Sequence, residues 1–114
     1  MKYMLLIQSG DSIDEYDRLP EDEQKAVMGE YFAISGLPGV SDGNQLQPAQ
    51  TATTVRVQDG KTLTTDGPFV ETKEALGGYY VFEADDLDAA IEVAGRIPAA
   101  RMGGAIEVRP VVER

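Results

Sequence analysis

Residues 2–8 open the chain with Tyr3, Leu5 and Ile7 on one side of an extended strand and Met4 and Leu6 on the other. A strand apolar on both sides must be covered on both. In a short chain helices can cover one face, and a second subunit is the natural cover for the other. Gly78–Glu83 repeats the pattern, with Tyr79, Tyr80, Val81 and Phe82 supplying both faces. Between these strands, Pro20 sits where a helix can begin, and Glu21, Asp22 and Glu23 suit the positive end of its dipole. Val27, Met28, Tyr31 and Ile34 then recur at helical spacing until Gly36 and Pro38. A second helix is predicted behind an N-cap at Asp85 or Asp86, with Leu87, Ala90, Ile91 and Ala94 as its buried stripe and Pro98 as its stop. Asp59-Gly60, flanked by Thr53–Gln58 and Lys61–Thr65, is a strong two-residue hairpin signal. Residues 37–50 read as loop with a short strand near Gln45–Gln47, and Ala105–Val111 as the last strand.

The order is strand, helix, hairpin, strand, helix, strand. It predicts an α+β fold, a ferredoxin-like split βαβ sheet with an inserted β-hairpin and both helices on one face. The first strand and Gly78–Glu83 are expected at its centre. The face without helices calls for a partner sheet, so the expected assembly is a homodimer with a barrel-like α/β interior.

The 114 residues suit one domain, residues 1–114, and 42% apolar with 26% charged residues is the balance of a folded soluble chain. The apolar run at the start is five residues long and no small-residue cleavage site follows it, so it reads as a strand and not a signal peptide. No segment approaches the roughly 20 apolar residues that span a bilayer, and the expected location is cytoplasmic. A formal net charge of −10 disfavours nucleic-acid and anionic-membrane partners. The acid gathers in Asp11–Glu23 and Glu83–Glu92, as solvated loops and helix N-termini would have it. Asp11 to Glu15 lacks the alternation and glycine of a calcium loop.

With no histidine and no cysteine, the commonest general base, the commonest nucleophile and all soft metal sites are missing, so no cofactor and no transition metal are expected. Carboxylates, lysines and tyrosines remain. They are densest in TTDGPFVETKEALGG, residues 64–78. Asp66-Gly67-Pro68 is a turn, Phe69 is expected to anchor it against the core, and Glu71 and Lys73 share a face if the segment is extended. Glu74 follows, and Gly77-Gly78 permits close backbone approach. A carboxylate beside an ammonium can bind or polarise a small ligand; the same residues also describe an ordinary turn with a solvated surface pair. Arg101 and Arg109 are candidate anion-binding groups, Arg109 being the better explained as an offset to the acidic surface.

The run Asp66-Gly67-Pro68-Phe69-Val70-Glu71-Thr72-Lys73-Glu74 resembles the signature of the DGPF (DGPFAETKE) branch of the YCII-related proteins, with Val70 in place of alanine. The similarity extends through KYMLLI at the start, LQPAQTATTVRV at 46–57, LGGYYVFEADDLDAA at 76–90 and IPAARMGGAIEVRPV at 97–111. The resemblance implies a ferredoxin-like dimeric α/β barrel. In the wider family it implies a cleft with a histidine–aspartate pair, which this chain lacks, and many DGPF relatives carry histidine where Met102 stands. It also implies a genomic setting near extracytoplasmic-function sigma factors. Two functions follow. One is a small-molecule-binding homodimer, with Asp66, Phe69, Glu71, Lys73, Glu74 and Arg101 around its cleft and Glu71 and Lys73 partly buried and paired. The other is a non-catalytic regulatory or protein-interaction module linked to sigma-factor-dependent transcription. No catalytic residue is assigned, and whether the chain is an enzyme stays open.

Overall fold

The two strands apolar on both faces lie side by side. In the structure, a computed structural model that describes residues 1–70, 72 and 74–114, β1 (Lys2–Gln8) pairs antiparallel with β5 (Leu76–Glu83) at the centre of a four-stranded sheet. Glu71 and Lys73, and the expectations placed on them, lie outside the described residues. The edge strands are β2 (Val40–Gln45), beside β5, and β6 (Ala105–Pro110), beside β1. The order β2-β5-β1-β6, antiparallel throughout, is consistent with a ferredoxin-like α+β fold. Three helices complete it: α1 (Ser12–Asp17), α2 (Glu21–Ser35) and α3 (Leu87–Arg96).

The core lies between the sheet and the helices. Tyr3 and Leu5 of β1, Tyr80 and Phe82 of β5, Ile34 of α2 and Ala90, Val93 and Ala94 of α3 make one buried cluster, extended by Ile97 and Ala99. The alternation along β1 and β5 leaves Met4, Leu6, Tyr79 and Val81 on the other face, where they are only half-buried. The molecule is accordingly thin, 48 × 41 × 18 Å. Its radius of gyration, 15.9 Å, exceeds the roughly 13 Å of a compact domain of this length.

Four expectations about elements need correcting. The second strand is Val40–Gln45, not the neighbourhood of Gln45–Gln47. As an exposed edge strand of sequence VSDGNQ it shows no apolar alternation, and pairing to β5 holds it extended. The acidic stretch after β1 contains α1, which buries no residue and so leaves no periodic signal. In α2, Val27 and Ile34 are buried whereas Met28 is exposed. In α3 the buried stripe is Ala90, Val93 and Ala94, while Leu87 and Ile91 face outward. Small alanines let α3 sit close to β1 and β6. Asp86 is the α3 N-cap, its carboxylate accepting from Ala89 N–H at 2.9 Å.

The hairpin forms as the Asp59-Gly60 signal requires. β3 (Thr53–Gln58) and β4 (Lys61–Asp66) pair from Thr53–Asp66 to Gln58–Lys61, and Asp59 (φ 50°) and Gly60 (φ 75°) are both left-handed. These strands form a separate two-stranded sheet that packs extensively on no other helix or strand among the described residues. Among those residues, no helix is long and apolar enough to cross a membrane.

Candidate functional site

At the root of the hairpin the chain turns at Gly67 (φ 102°), a conformation that favours glycine. Gly67 N–H donates to Ala52 O at 2.7 Å, and Thr54 Oγ1 donates to Gly67 O at 2.9 Å. These bonds draw Pro68, Phe69 and Val70 alongside the segment that precedes β3. Between the two runs lies an open cleft of about 570 Å³, lined by residues 46–49, 51–54, 68–70, 72 and 74–76. Leu46, Pro48, Phe69, Val70 and Leu76 give it apolar walls. Its polar groups are Gln47, Thr51, Thr53, Thr54, Thr72 and Glu74, the last being the one charged side chain among the described lining residues.

Phe69 corrects an expectation. It is 69% exposed and does not anchor in the core. The turn is tied to the hairpin root, so the ring is carried out to Arg56 of β3, whose guanidinium lies 4.7 Å from its centroid in a cation–π contact. Asp66 ends β4 opposite Thr53, exposed and outside the cleft lining. Glu74 does line the cleft. Arg101 lies elsewhere: its guanidinium is 2.5 Å from Glu30 Oε2 of α2, and it borders a second cleft of about 320 Å³ with Ala33, Ile34, Leu37 and Arg96. Arg109 pairs with Glu107 on β6, as an offset to acidic charge would.

The double glycine behaves as expected. β5 bulges there, Ile7 pairing with Gly78 and Gln8 with Leu76. A Cβ on Gly77 would lie 2.1 Å from Ser9 Oγ, and one on Gly78 2.9 Å from Asn44 O. Leu46 N–H donates to Gly77 O and Ser9 N–H to Ala75 O, both at 2.9 Å, which fixes the floor of the cleft to the end of the central strands.

One polar group escapes the sequence pattern. On the helix-free face, the Tyr79 hydroxyl accepts from Asn44 Nδ2 at 2.9 Å and donates to Asp42 Oδ2 at 3.5 Å. Asp42 and Asn44 alternate in sequence, a signal for a strand face that the missing apolar residues hide. On the other face burial raises the Tyr31 phenol above 10.0, with a backbone hydrogen bond to Ala99 pulling the other way. Burial also raises Tyr80, whose hydroxyl donates to Tyr31 O at 3.1 Å. Met102 is buried beneath the turn into β6. Among the described residues, no three carboxylate, histidine or cysteine side chains converge as a metal site would need.

A protein of Rhizobium meliloti (strain 1021), itself described as uncharacterized, is 34% identical over 117 residues, which span 97% of this chain and 92% of that protein. The family model of the YCII-related domain matches residues 1–114. The chain therefore belongs to the YCII-related family.

Proposed function

We propose that the chain is a homodimeric small-molecule-binding protein whose site is the cleft at the root of the hairpin. The cleft carries the reading: about 570 Å³, largely apolar, with a few convergent polar groups, is the character of a small-ligand site. Thr51 and Thr54 donate their hydroxyl protons to Pro48 O (2.7 Å) and Gly67 O (2.9 Å), leaving lone pairs for a ligand. With the Glu74 carboxylate, this makes a wall richer in acceptors than in donors. It suits an uncharged or cationic organic molecule that carries an apolar body and N–H or O–H groups. Glu71 and Lys73, which the sequence motif includes, stay in the proposal as candidates together with Phe69. Asp66 and Arg101 have no part in it. The Asp66–Glu74 run supports placing the chain in the DGPF branch of its family, and the half-buried apolar sheet face supports the homodimer. The reading commits to binding and to no reaction.

The test is a thermal-shift screen of small metabolites grouped as amines, neutral polyols and amides, and carboxylates. Stabilisation is expected from the first two groups, weakened for amines in Glu74→Gln and for all hits in Phe69→Ala. A screen in which only carboxylates stabilise the protein, equally in both variants, would overturn the assignment.

A further inference from the structure

The hairpin is the part of this molecule that its own domain does not explain. An isolated two-stranded hairpin is marginal in water, and this one packs extensively on no other element among the described residues. Its two faces are also unlike. The register places Val55 and Val57 with Thr62 and Thr64 on one face, which ends at the root in Thr53 and Asp66, and Arg56, Leu63 and Lys61 on the other, where Arg56 covers Phe69. Val55 is 59% and Val57 68% exposed, so the first face is a bare β-branched surface.

We infer that β3–β4 is an arm that each protomer lays on a second copy of the same chain, and that the cleft at its root is complete only in that assembly. The inference rests on the homodimer proposed above and adds the element that makes it. Two observations select a second copy as the occupant. The first is area. Four strands about 4.8 Å apart and six residues long present roughly 400 Å² of projected face, about half of the ~800 Å² per partner that a stable interface needs. One hairpin face adds roughly 200 Å², and a two-fold assembly in which each copy gives an arm and receives one adds it twice. The second is charge. Within residues 53–66, Arg56 and Lys61 balance Asp59 and Asp66, so the whole excess of −10 resides in the rest of the chain. A neutral arm is the segment that can approach another acidic copy without repulsion.

The consequence for the cleft is geometric. Thr53 and Thr54 are both the first residues of β3 and part of the cleft lining, so a body seated on the arm flanks the cleft. Phe69, Val70, Leu46 and Leu76, all exposed in one protomer, are then covered along its open side.

The test uses the full chain with Val55→Lys and Val57→Lys combined, both at exposed positions, followed by light scattering across a concentration series, circular dichroism and amide hydrogen exchange. The expected result is an unchanged spectrum, a dimer weakened about tenfold or more, and faster exchange in residues 46–49 and 53–70 at concentrations where the unmodified protein is dimeric. A variant with an unchanged dimerisation constant overturns the arm while leaving the homodimer standing. A monomeric unmodified protein overturns both. If the lysines unfold the chain, Val55→Thr with Val57→Thr keeps the β-branched shape, and its dimerisation constant must also weaken or the arm is refuted.

Discussion

Gly77 is a position with no room for an added methyl group. Its missing Cβ leaves room for Ser9 Oγ, which a Cβ would meet at 2.1 Å, and Ser9 is buried and tied to Ala75. Gly77→Ala should therefore cost about 1–3 kcal/mol through overpacking. Gly29, inside α2 with nothing within 4 Å of an added Cβ, should instead gain about 0.5–1 kcal/mol as alanine. Urea midpoints at constant slope measure both, and equal effects would contradict the packing argument. The buried phenols give a second prediction. Tyr31 and Tyr80 both have raised pKa values in the fold, so the stability they contribute is complete below pH 10.0 and lost as pH rises through the raised values. Tyr80→Phe should flatten the alkaline fall in unfolding free energy above pH 10.0; an unaltered slope would count against it. The glycine pair was legible in the sequence because two glycines entering an apolar strand signal close approach. The place of Phe69 was not, because an aromatic after a turn can fold inward or onto a neighbouring cation, and only the tie from Gly67 to the hairpin root decides between them.

At the scale of elements, legibility followed burial and local turn chemistry. β1 and β5 announce themselves because both faces must be covered. The hairpin does so because Asp59-Gly60 tolerates left-handed backbone. β2 and α1 bury almost nothing and so carry no period. α3 lies between these cases. The sequence narrows its start to two aspartates, but its buried stripe departs from the expected one because Leu87 and Ile91 outweigh alanines on any hydrophobicity scale, whereas close packing against β1 and β6 favours the alanines. The cap can be tested directly. Asp86→Ala removes the acceptor for Ala89 N–H and should cost about 1 kcal/mol, whereas Asp86→Asn or Asp86→Ser should recover most of that loss. Asp85→Ala should lie within about 0.5 kcal/mol of the unmodified protein, as a surface change away from the cap does. Thermal unfolding of the four variants separates the two aspartates, and equal losses at both positions would show that general acidity, not capping, stabilises this end of the helix.

For the whole molecule the determining feature is thinness. One sheet and one helix layer account for an 18 Å dimension, and the uncovered face has Met4 and Leu6 of β1 beside Tyr79 and Val81 of β5. Its rims are polar, with Asp42 and Asn44 on one edge strand and the Glu107–Arg109 pair on the other. An apolar centre within a polar rim is the composition of a protein interface. This was legible because two adjacent strands were apolar on both faces; the partner and its orientation were not, since a strand pattern says that a face needs cover and not what lies on it. The prediction is that the chain has twice its 12.3 kDa mass by light scattering at micromolar concentration. Leu6→Lys places an ammonium at the centre of the face. In one protomer the site is only half-buried and the long side chain can keep its charge in water, so circular dichroism and monomer folding should change little. Between two copies the same charge would be taken out of water beside Glu107, whose carboxylate Arg109 already pairs, which costs several kcal/mol and should shift the variant to 12.3 kDa. A Leu6→Lys protein that still sediments as the dimer would place the contact elsewhere, and unmodified protein that is monomeric at those concentrations would remove the dimer altogether.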